Sequence, residues 1–285
     1  MTNAVGYYHN EREERINRDH PAFKENVHRL KGLRVHDSID INRDFPYNTK
    51  PEDCLNTVAG RVVHQIFTQN IIVSAITFHG GTNVIGYPWG SFNHATARPY
   101  NSFVSNESPD MRAFDGIGEI LKSQTGGPIK VPGTDNLIQE YIMGDISSTI
   151  YPVNGGLEDW AYGAGWDFGN GEATLSKCTP QTYSLPSSIQ FGPKPYKHVR
   201  AAIYIVETDG SKRPSENYLG TRMVYRSGMK LRILPGSVME SNNEFDGHIN
   251  RNIRLALGLI DASRASIEVV SINKSASNEN LTVTW

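Results

Sequence analysis

Residues 40–46 read Asp-Ile-Asn-Arg-Asp-Phe-Pro, and two of their side chains are of the kind that binds a carboxylate. Asn42 and Arg43 stand side by side, and their amide and guanidinium groups supply planar N–H donors that match carboxylate oxygens. An Asn in a turn beside an Arg on a solvated face is the alternative. The pair therefore predicts a carboxylate site only if other chemistry-bearing residues lie beside it.

Two further residues follow apolar runs that have the character of buried strands. His79 comes directly after residues 71–78, and Glu207 directly after residues 200–206. Ligand sites in α/β sheets lie beyond the strand ends, so His79 is placed to bind a metal. Burial of a carboxylate such as Glu207 at that position costs free energy unless the group is paired with a cation or has a role in binding or catalysis. The alternatives are a core histidine and a salt bridge from Glu207 to Lys212 or Arg213.

Tyr151 precedes Gly155-Gly156, and Glu158 follows that turn. A tyrosine near a Gly-Gly turn can swing its hydroxyl group into a cleft, although tyrosines in turns are common. We therefore count Tyr151 as a fourth candidate beside the other three segments.

The elements that must position these residues can be predicted from hydrophobic periodicity. Thr49 to Glu52 form a capping box, which predicts a helix with one apolar face formed by residues 55, 58, 59, 62, 63, 66 and 67. Further predicted elements are a buried strand at 71–78, a helix from Ser108 to Gly126, a buried strand at 200–206, and a helix capped by Asp246 and ending near Ala262.

Strands that alternate with helices predict the α/β class, with a mixed, mostly parallel sheet and helices on both faces. His79 and Glu207 then end strands of one sheet. Residues 163–198 are rich in Gly, Pro, Ser and Tyr and predict a long inserted loop. Residues 266–272 and 281–285 predict two strands of a different unit.

Composition narrows the classes of partner. The net charge is −2 and charged residues make up 20% of the chain, so no electrostatic argument favours nucleic acid or an anionic membrane. No apolar run approaches the length that spans a bilayer. We expect neither a nucleic-acid nor a membrane partner. Cys54 and Cys178 are equally consistent with a disulfide and with two free thiols.

In their order along the chain, the four segments resemble the peptidase M14 family of zinc carboxypeptidases. Asp-x-Asn-Arg-x-Phe-Pro is similar to the family's substrate-carboxylate segment, and Phe-His-Gly-Gly to its third zinc-ligand segment. Ile-Tyr-x-x-x-Gly-Gly before Asp-Trp is similar to its mobile-tyrosine segment, and Glu followed by Lys-x-Pro to its general-base segment. The resemblance extends from about residue 3 to the last predicted helix.

The resemblance implies a zinc-dependent metallocarboxypeptidase that hydrolyses the C-terminal peptide bond of peptides or proteins. Arg43 would clamp the terminal carboxylate with Asn42 beside it, and Tyr151 would close over the same group. His79 would ligate one zinc ion, and Glu207 would deprotonate the zinc-bound water as general base.

Three further positions follow from the resemblance. An arginine that polarises the scissile carbonyl is expected upstream of Asn42, and both Arg12 and Arg15 remain candidates. Glu158 precedes the Asp-Trp pair, where the family's specificity pocket is lined, so a buried acid there would favour a C-terminal Lys or Arg. In the alternative, the Glu158 side chain turns outward.

Two of the three zinc ligands expected from the resemblance are absent, because no histidine of the chain begins a His-x-x-Glu motif. We therefore expect residues 1–264 to be a partial peptidase domain without its N-terminal third, and 265–285 the start of an incomplete β domain. This fragment alone should be inactive or nearly so. The alternative is a non-catalytic relative that binds peptide C-termini. Secretion is favoured if the full-length protein has a signal peptide.

Overall fold

The computed structural model describes residues 25–26, 38–163, 178, 200–210, 214, 216–220, 246–264, 271–274 and 281–284. The helices are α1 (Val58–Gln69), α2 (Met111–Thr125), α3 (Ile146–Thr149), α4 (Leu157–Gly163), α5 (Glu216–Leu219) and α6 (His248–Ala262). The strands are β1 (Glu25–Asn26), β2 (Ser38–Ile39), β3 (Ser74–His79), β4 (Asn83–Tyr87), β5 (Ala95–Arg98), β6 (Ser102–Ser105), β7 (Ile129–Lys130), β8 (Leu137–Ile138), β9 (Ile142–Asp145), β10 (Ala202–Thr208), β11 (Ser271–Lys274) and β12 (Leu281–Thr284).

A four-stranded sheet in the order β3-β10-β4-β9 carries the helices, so the predicted α/β class is confirmed. β10 runs parallel to β3 and antiparallel to β4, and β4 runs parallel to β9. In the parallel register, Glu207 lies beside His79. The two predicted site residues are therefore neighbours at one end of the sheet because both strands run in the same direction.

Aromatic side chains fill the interface between the sheet and α2. The Tyr204 hydroxyl group donates a hydrogen bond to the Phe114 carbonyl oxygen at 3.0 Å, and the Tyr87 ring stacks on Phe114 with centroids 5.5 Å apart. Helix α2 ends at Thr125, and Gly126 follows with a φ of 73°, a left-handed conformation that glycine adopts at little cost. The predicted helix from residue 108 to 126 is thus confirmed.

Trp160 of α4 joins α1 to the chain segment after residue 40. Its fully buried ring stacks on Phe45 and His64, with centroid distances of 5.6 and 4.7 Å, and meets Phe67 edge-on. Because these residues come from three separate parts of the sequence, this one side chain fixes the position of α4 relative to the Asn42-Arg43 segment.

The predicted start of the first helix at the Thr49 capping box is wrong. A short 3-10 helix, Pro51–Asp53, follows that position, and α1 begins at Val58 with Thr57 as its N-cap. The Thr57 hydroxyl oxygen accepts a hydrogen bond from Gly60 N at 2.8 Å. The Asp44 carboxylate accepts hydrogen bonds from Thr57 N and Oγ1, so a long-range partner fixes the helix start.

The one apolar face predicted for this helix is only partly buried. Val58, Val62 and Ile66 are 59%, 50% and 46% exposed and form a stripe with a spacing of four residues. The buried side holds His64 and Phe67, which contact Trp160. Packing on Trp160 therefore selects one of the two apolar stripes that the sequence pattern allows.

The strand expected at residues 71–78 is shifted and only partly buried. Ile71 and Val73 are exposed and precede β3, and within the described part of the chain β3 forms an edge of the sheet. An apolar run alone does not distinguish an edge strand from a central one, because both can have one face in the core.

The last predicted elements are found with small shifts. α6 ends at Ala262 as expected, but Gly247 is its N-cap, and Asp246 instead forms a bidentate ion pair with Arg254 at 2.6 and 2.7 Å. β11 and β12 pair in an antiparallel hairpin. The boundary after residue 264 stays a prediction. The inserted loop predicted at 163–198 lies outside the described residues except for positions 163 and 178.

Cys54 and Cys178 form a disulfide, which decides between the two alternatives that the sequence left open. Their sequence separation is 124 residues, and both side chains are buried together with Leu55. Cys54 stands between the Asn42-Arg43 segment and α1 along the chain, so the disulfide crosslinks that stretch to Cys178.

Candidate carboxylate-binding site

An open cavity lies where β3 and β10 end. The residues that line it come from every segment that the sequence singled out: Asp40, Asn42, Arg43, His79, Gly80, Ile146, Ile150, Tyr151, Val153, Ile205 and Glu207. Of the six predicted site residues, five therefore share one cavity wall, and the sixth, Glu158, lies behind it.

The guanidinium group of Arg43 lies on one side of this cavity and faces Tyr151. Its Nη1 donates to the Asn42 carbonyl oxygen at 2.7 Å, and its Nη2 lies 3.4 Å from the Tyr151 hydroxyl group. Tyr151 is 54% exposed, so its ring borders solvent. The two side chains can therefore approach the same anionic group from two directions.

The backbone that carries Arg43 is tied to the turn before α4. Phe45 N donates to the Gly155 carbonyl oxygen at 3.0 Å, and Gly155 N donates to the Tyr47 carbonyl oxygen at 2.9 Å. Gly155 has a φ of 73°, and a Cβ there would collide with the Arg43 carbonyl group. Glycine is required at this position because any side chain would push the Arg43 backbone away.

The Asn42 amide group is held by α4 on both of its ends. Its Oδ1 accepts a hydrogen bond from Leu157 N at 2.9 Å, and its Nδ2 donates to Glu158 Oε2 at 3.4 Å. Asp40 Oδ1 accepts from Asn42 N at 3.0 Å and caps the 3-10 helix at residues 41–43. The amide is thus oriented before any ligand arrives.

His79 and Glu207 face each other at the sheet end of the cavity. His79 Nδ1 and Glu207 Oε1 are 4.0 Å apart, which is longer than a hydrogen bond. Their side chains are 26% and 16% exposed, so both reach the cavity. The Thr208 hydroxyl group donates to the His79 carbonyl oxygen at 3.1 Å and holds the two strand ends together.

Glu158 is fully buried, so its side chain does not turn outward. Burial raises the pKa of this carboxyl group to about 7, whereas Arg43 and the hydrogen bond from Asn42 lower it. Burial and the neighbouring Glu158 also raise the pKa of Asp159, which accepts hydrogen bonds from Gly90 N and Ser91 N. Two buried acids thus stand next to each other in α4, and Glu158 is the one that contacts the cavity wall through Asn42.

The apolar part of the cavity wall was not predicted. Ile205 could have been found, since it stands two residues before Glu207 and alternate residues of a strand share one face. Ile146 and Val153 reach the cavity only through the packing of α3 and the turn after it, which no local pattern indicates. Arg12 and Arg15 lie outside the described residues.

The donor set does not fit a complete catalytic zinc site. His79 offers one imidazole, and a catalytic zinc requires three protein ligands. Within the described ranges, no group of three or more His, Cys, Asp or Glu side chains is placed to hold a metal ion.

Comparison with known families agrees with the order of the segments. The model of the zinc carboxypeptidase family matches residues 2–186, which include Asn42, Arg43, His79, Tyr151 and Glu158. The matched range ends before the strand β10. A comparison with curated proteins found no match. Among the helices that the structure describes, none combines the length and apolar content needed to cross a membrane.

Proposed function

Because the chain belongs to the zinc carboxypeptidase family, we propose that its cavity binds the free C-terminal carboxylate of a peptide or protein. Members of this family act on peptide C-termini. The observation that carries the proposal is the approach of Arg43 to Tyr151, 3.4 Å apart, in the cavity that also holds His79 and Glu207.

In this proposal Arg43 forms the charge-assisted hydrogen bonds to the two carboxylate oxygens. Such bonds are worth about 1.5–3 kcal/mol each, more than neutral ones. Asn42 adds an amide donor, and the Tyr151 hydroxyl group, which lies beside Arg43 Nη2, donates to the same carboxylate. The apolar residues Ile146 and Val153 would contact the side chain of the last peptide residue.

For hydrolysis, we propose Glu207 as the general base and His79 as one zinc ligand. A zinc ion bound there would acidify a water molecule for attack on the peptide bond. Glu207 Oε1 lies 4.0 Å from His79 Nδ1, so the proposed base is placed beside the proposed metal ligand. That residues 1–285 alone hydrolyse peptides poorly stays a prediction, which rests on the sequence: no histidine of the chain begins a His-x-x-Glu motif.

A second candidate function rests on the approach of Arg43 to Tyr151 alone. A domain that binds peptide C-termini without cutting them would use the same carboxylate clamp and need no zinc. Zinc stoichiometry, measured together with hydrolysis of a blocked dipeptide, separates the two: one zinc per chain and turnover favour the enzyme.

Binding is tested by titration calorimetry with a peptide that has a free C-terminus and with its C-terminal amide. We expect the amide to bind at least about tenfold more weakly. Arg43→Ala, which removes both charge-assisted bonds, should lose at least about 150-fold in affinity for the free acid. Arg98→Ala removes an exposed arginine and serves as the matched control. Equal affinity for acid and amide would exclude carboxylate recognition.

Family members are often secreted, and we propose the secretory pathway for this protein. The Cys54–Cys178 disulfide supports this compartment, because disulfides persist in oxidising environments and are rare in the cytosol.

A further inference from the structure

We propose that Glu158 is a positioning residue of the carboxylate clamp: it orients the Asn42 amide group, and its negative charge weakens peptide binding at Arg43. This inference rests on the proposed function and assigns Glu158 a role through its neighbours. It differs from direct pairing with a basic side chain of the substrate.

The first support is the position of Glu158 behind the cavity wall. Its side chain is 0% exposed, and it is not among the residues that line the cavity. Oε2 accepts the hydrogen bond from Asn42 Nδ2 at 3.4 Å, and Oε1 has no hydrogen-bond partner within the described part of the chain. Glu158 therefore reaches the cavity through Asn42.

The second support is the orientation that this contact imposes on Asn42. Leu157 N is a donor, so it requires the Asn42 amide oxygen on its side. The Glu158 carboxylate is an acceptor, so it requires the Asn42 NH2 group on the other side. A reversed amide would place donor against donor and acceptor against acceptor. In the observed orientation, one Nδ2 hydrogen remains for a ligand, because a primary amide carries two.

The third support is the set of charges around Glu158. Burial raises the pKa of Glu158 to about 7; Arg43 favours its ionised form and Asp40 disfavours it. Glu158 in turn raises the pKa of the adjacent Asp159. A carboxylate bound at Arg43 would offset the charge that stabilises ionised Glu158. By linkage, ligand binding should then raise the pKa of Glu158 further, and ionisation of Glu158 should weaken binding.

The expected signature is proton uptake on binding near neutral pH. Titration calorimetry of the full chain with a free-acid peptide, in two buffers of different ionisation enthalpy, measures the protons taken up. We expect a net uptake at pH 7 and a dissociation constant about fivefold or more weaker at pH 8 than at pH 6.

Glu158→Gln is the test variant, because glutamine keeps an acceptor for Asn42 and removes the charge. Its proton uptake should fall and its pH dependence should flatten, while His79 and Glu207 contribute equally to both proteins. Glu119→Gln, which removes an exposed acid from α2, should behave like the unmodified chain.

Two results would overturn the inference. One is no proton uptake by the unmodified chain between pH 6.5 and 7.5, which needs no variant to fold. The other is a Glu158→Gln protein that keeps the full pH dependence but loses a preference for C-terminal Lys or Arg over Phe, which would assign Glu158 to the substrate side chain. If the unmodified chain binds no free-acid peptide at any pH, the proposed function itself is refuted.

Discussion

Replacement of Asp44 by asparagine should destabilise the protein and loosen the carboxylate clamp together. The Asp44 side chain is 0% exposed, and it accepts hydrogen bonds from Asn56 N at 2.8 Å, Thr57 N at 2.9 Å and Thr57 Oγ1 at 2.6 Å. It thus fixes the start of α1 and anchors the residue next to Arg43. Asparagine is nearly isosteric but has only one acceptor oxygen.

The cost follows from which bonds asparagine can keep. In its better orientation the amide oxygen replaces Oδ2 and keeps both contacts to Thr57, while the NH2 group faces Asn56 N. One charge-assisted bond is lost, worth about 1.5–3 kcal/mol, and a buried N–H group is left without its acceptor. We expect a loss of about 3 kcal/mol in the free energy of unfolding, a large part of the 5–15 kcal/mol typical of domains.

Urea denaturation measures this loss, and titration with a free-acid peptide measures the effect on the clamp. Asp135→Asn is the matched control, because that side chain is fully exposed and its ion pair with Lys130 spans 3.3 Å at the surface. The control should change stability by less than about 0.5 kcal/mol. A loss below about 1 kcal/mol for Asp44→Asn would refute the account of how this helix start is held.

Two further predictions concern stability. Reduction of the Cys54–Cys178 disulfide, which closes a loop with a sequence separation of 124 residues, should cost about 5 kcal/mol in the chain-entropy model, and an unchanged urea midpoint in reductant would contradict it. Burial lowers the pKa of His94 to about 4, below the value near 6.5 of an unfolded chain. Stability should therefore be lost as pH falls from about 6.5 through 4, and His94→Gln should flatten that part of the pH–stability curve.

The predictions that succeeded were those that depend on neighbours in sequence or on strand direction. The helix from residue 111 to 125 was predictable because apolar residues recur every three or four positions and glycine follows its end. The meeting of His79 and Glu207 was predictable because two parallel strands end at the same edge of a sheet.

The predictions that failed depend on distant partners. The Thr49 capping box has all the local features of a helix start, yet Asp44 binds Thr57 and moves the start to Val58. The stripe of Val58, Val62 and Ile66 resembles a core face, but Trp160 packs on another side of α1. The free energies of such alternative helix starts and packing faces differ by only a few kcal/mol. Local sequence patterns therefore cannot tell which alternative the chain adopts.

By itself the sequence determined the family and named the chemical groups of the candidate site, because residue types and their order along the chain are local information. It also determined that Cys54 and Cys178 could pair. Only the tertiary structure decided that they do, that Ile146 and Val153 complete the cavity wall, and that Glu158 is buried behind Asn42. Those outcomes bring together residues more than 100 positions apart, and their energies arise from burial and packing that exist only in the folded chain.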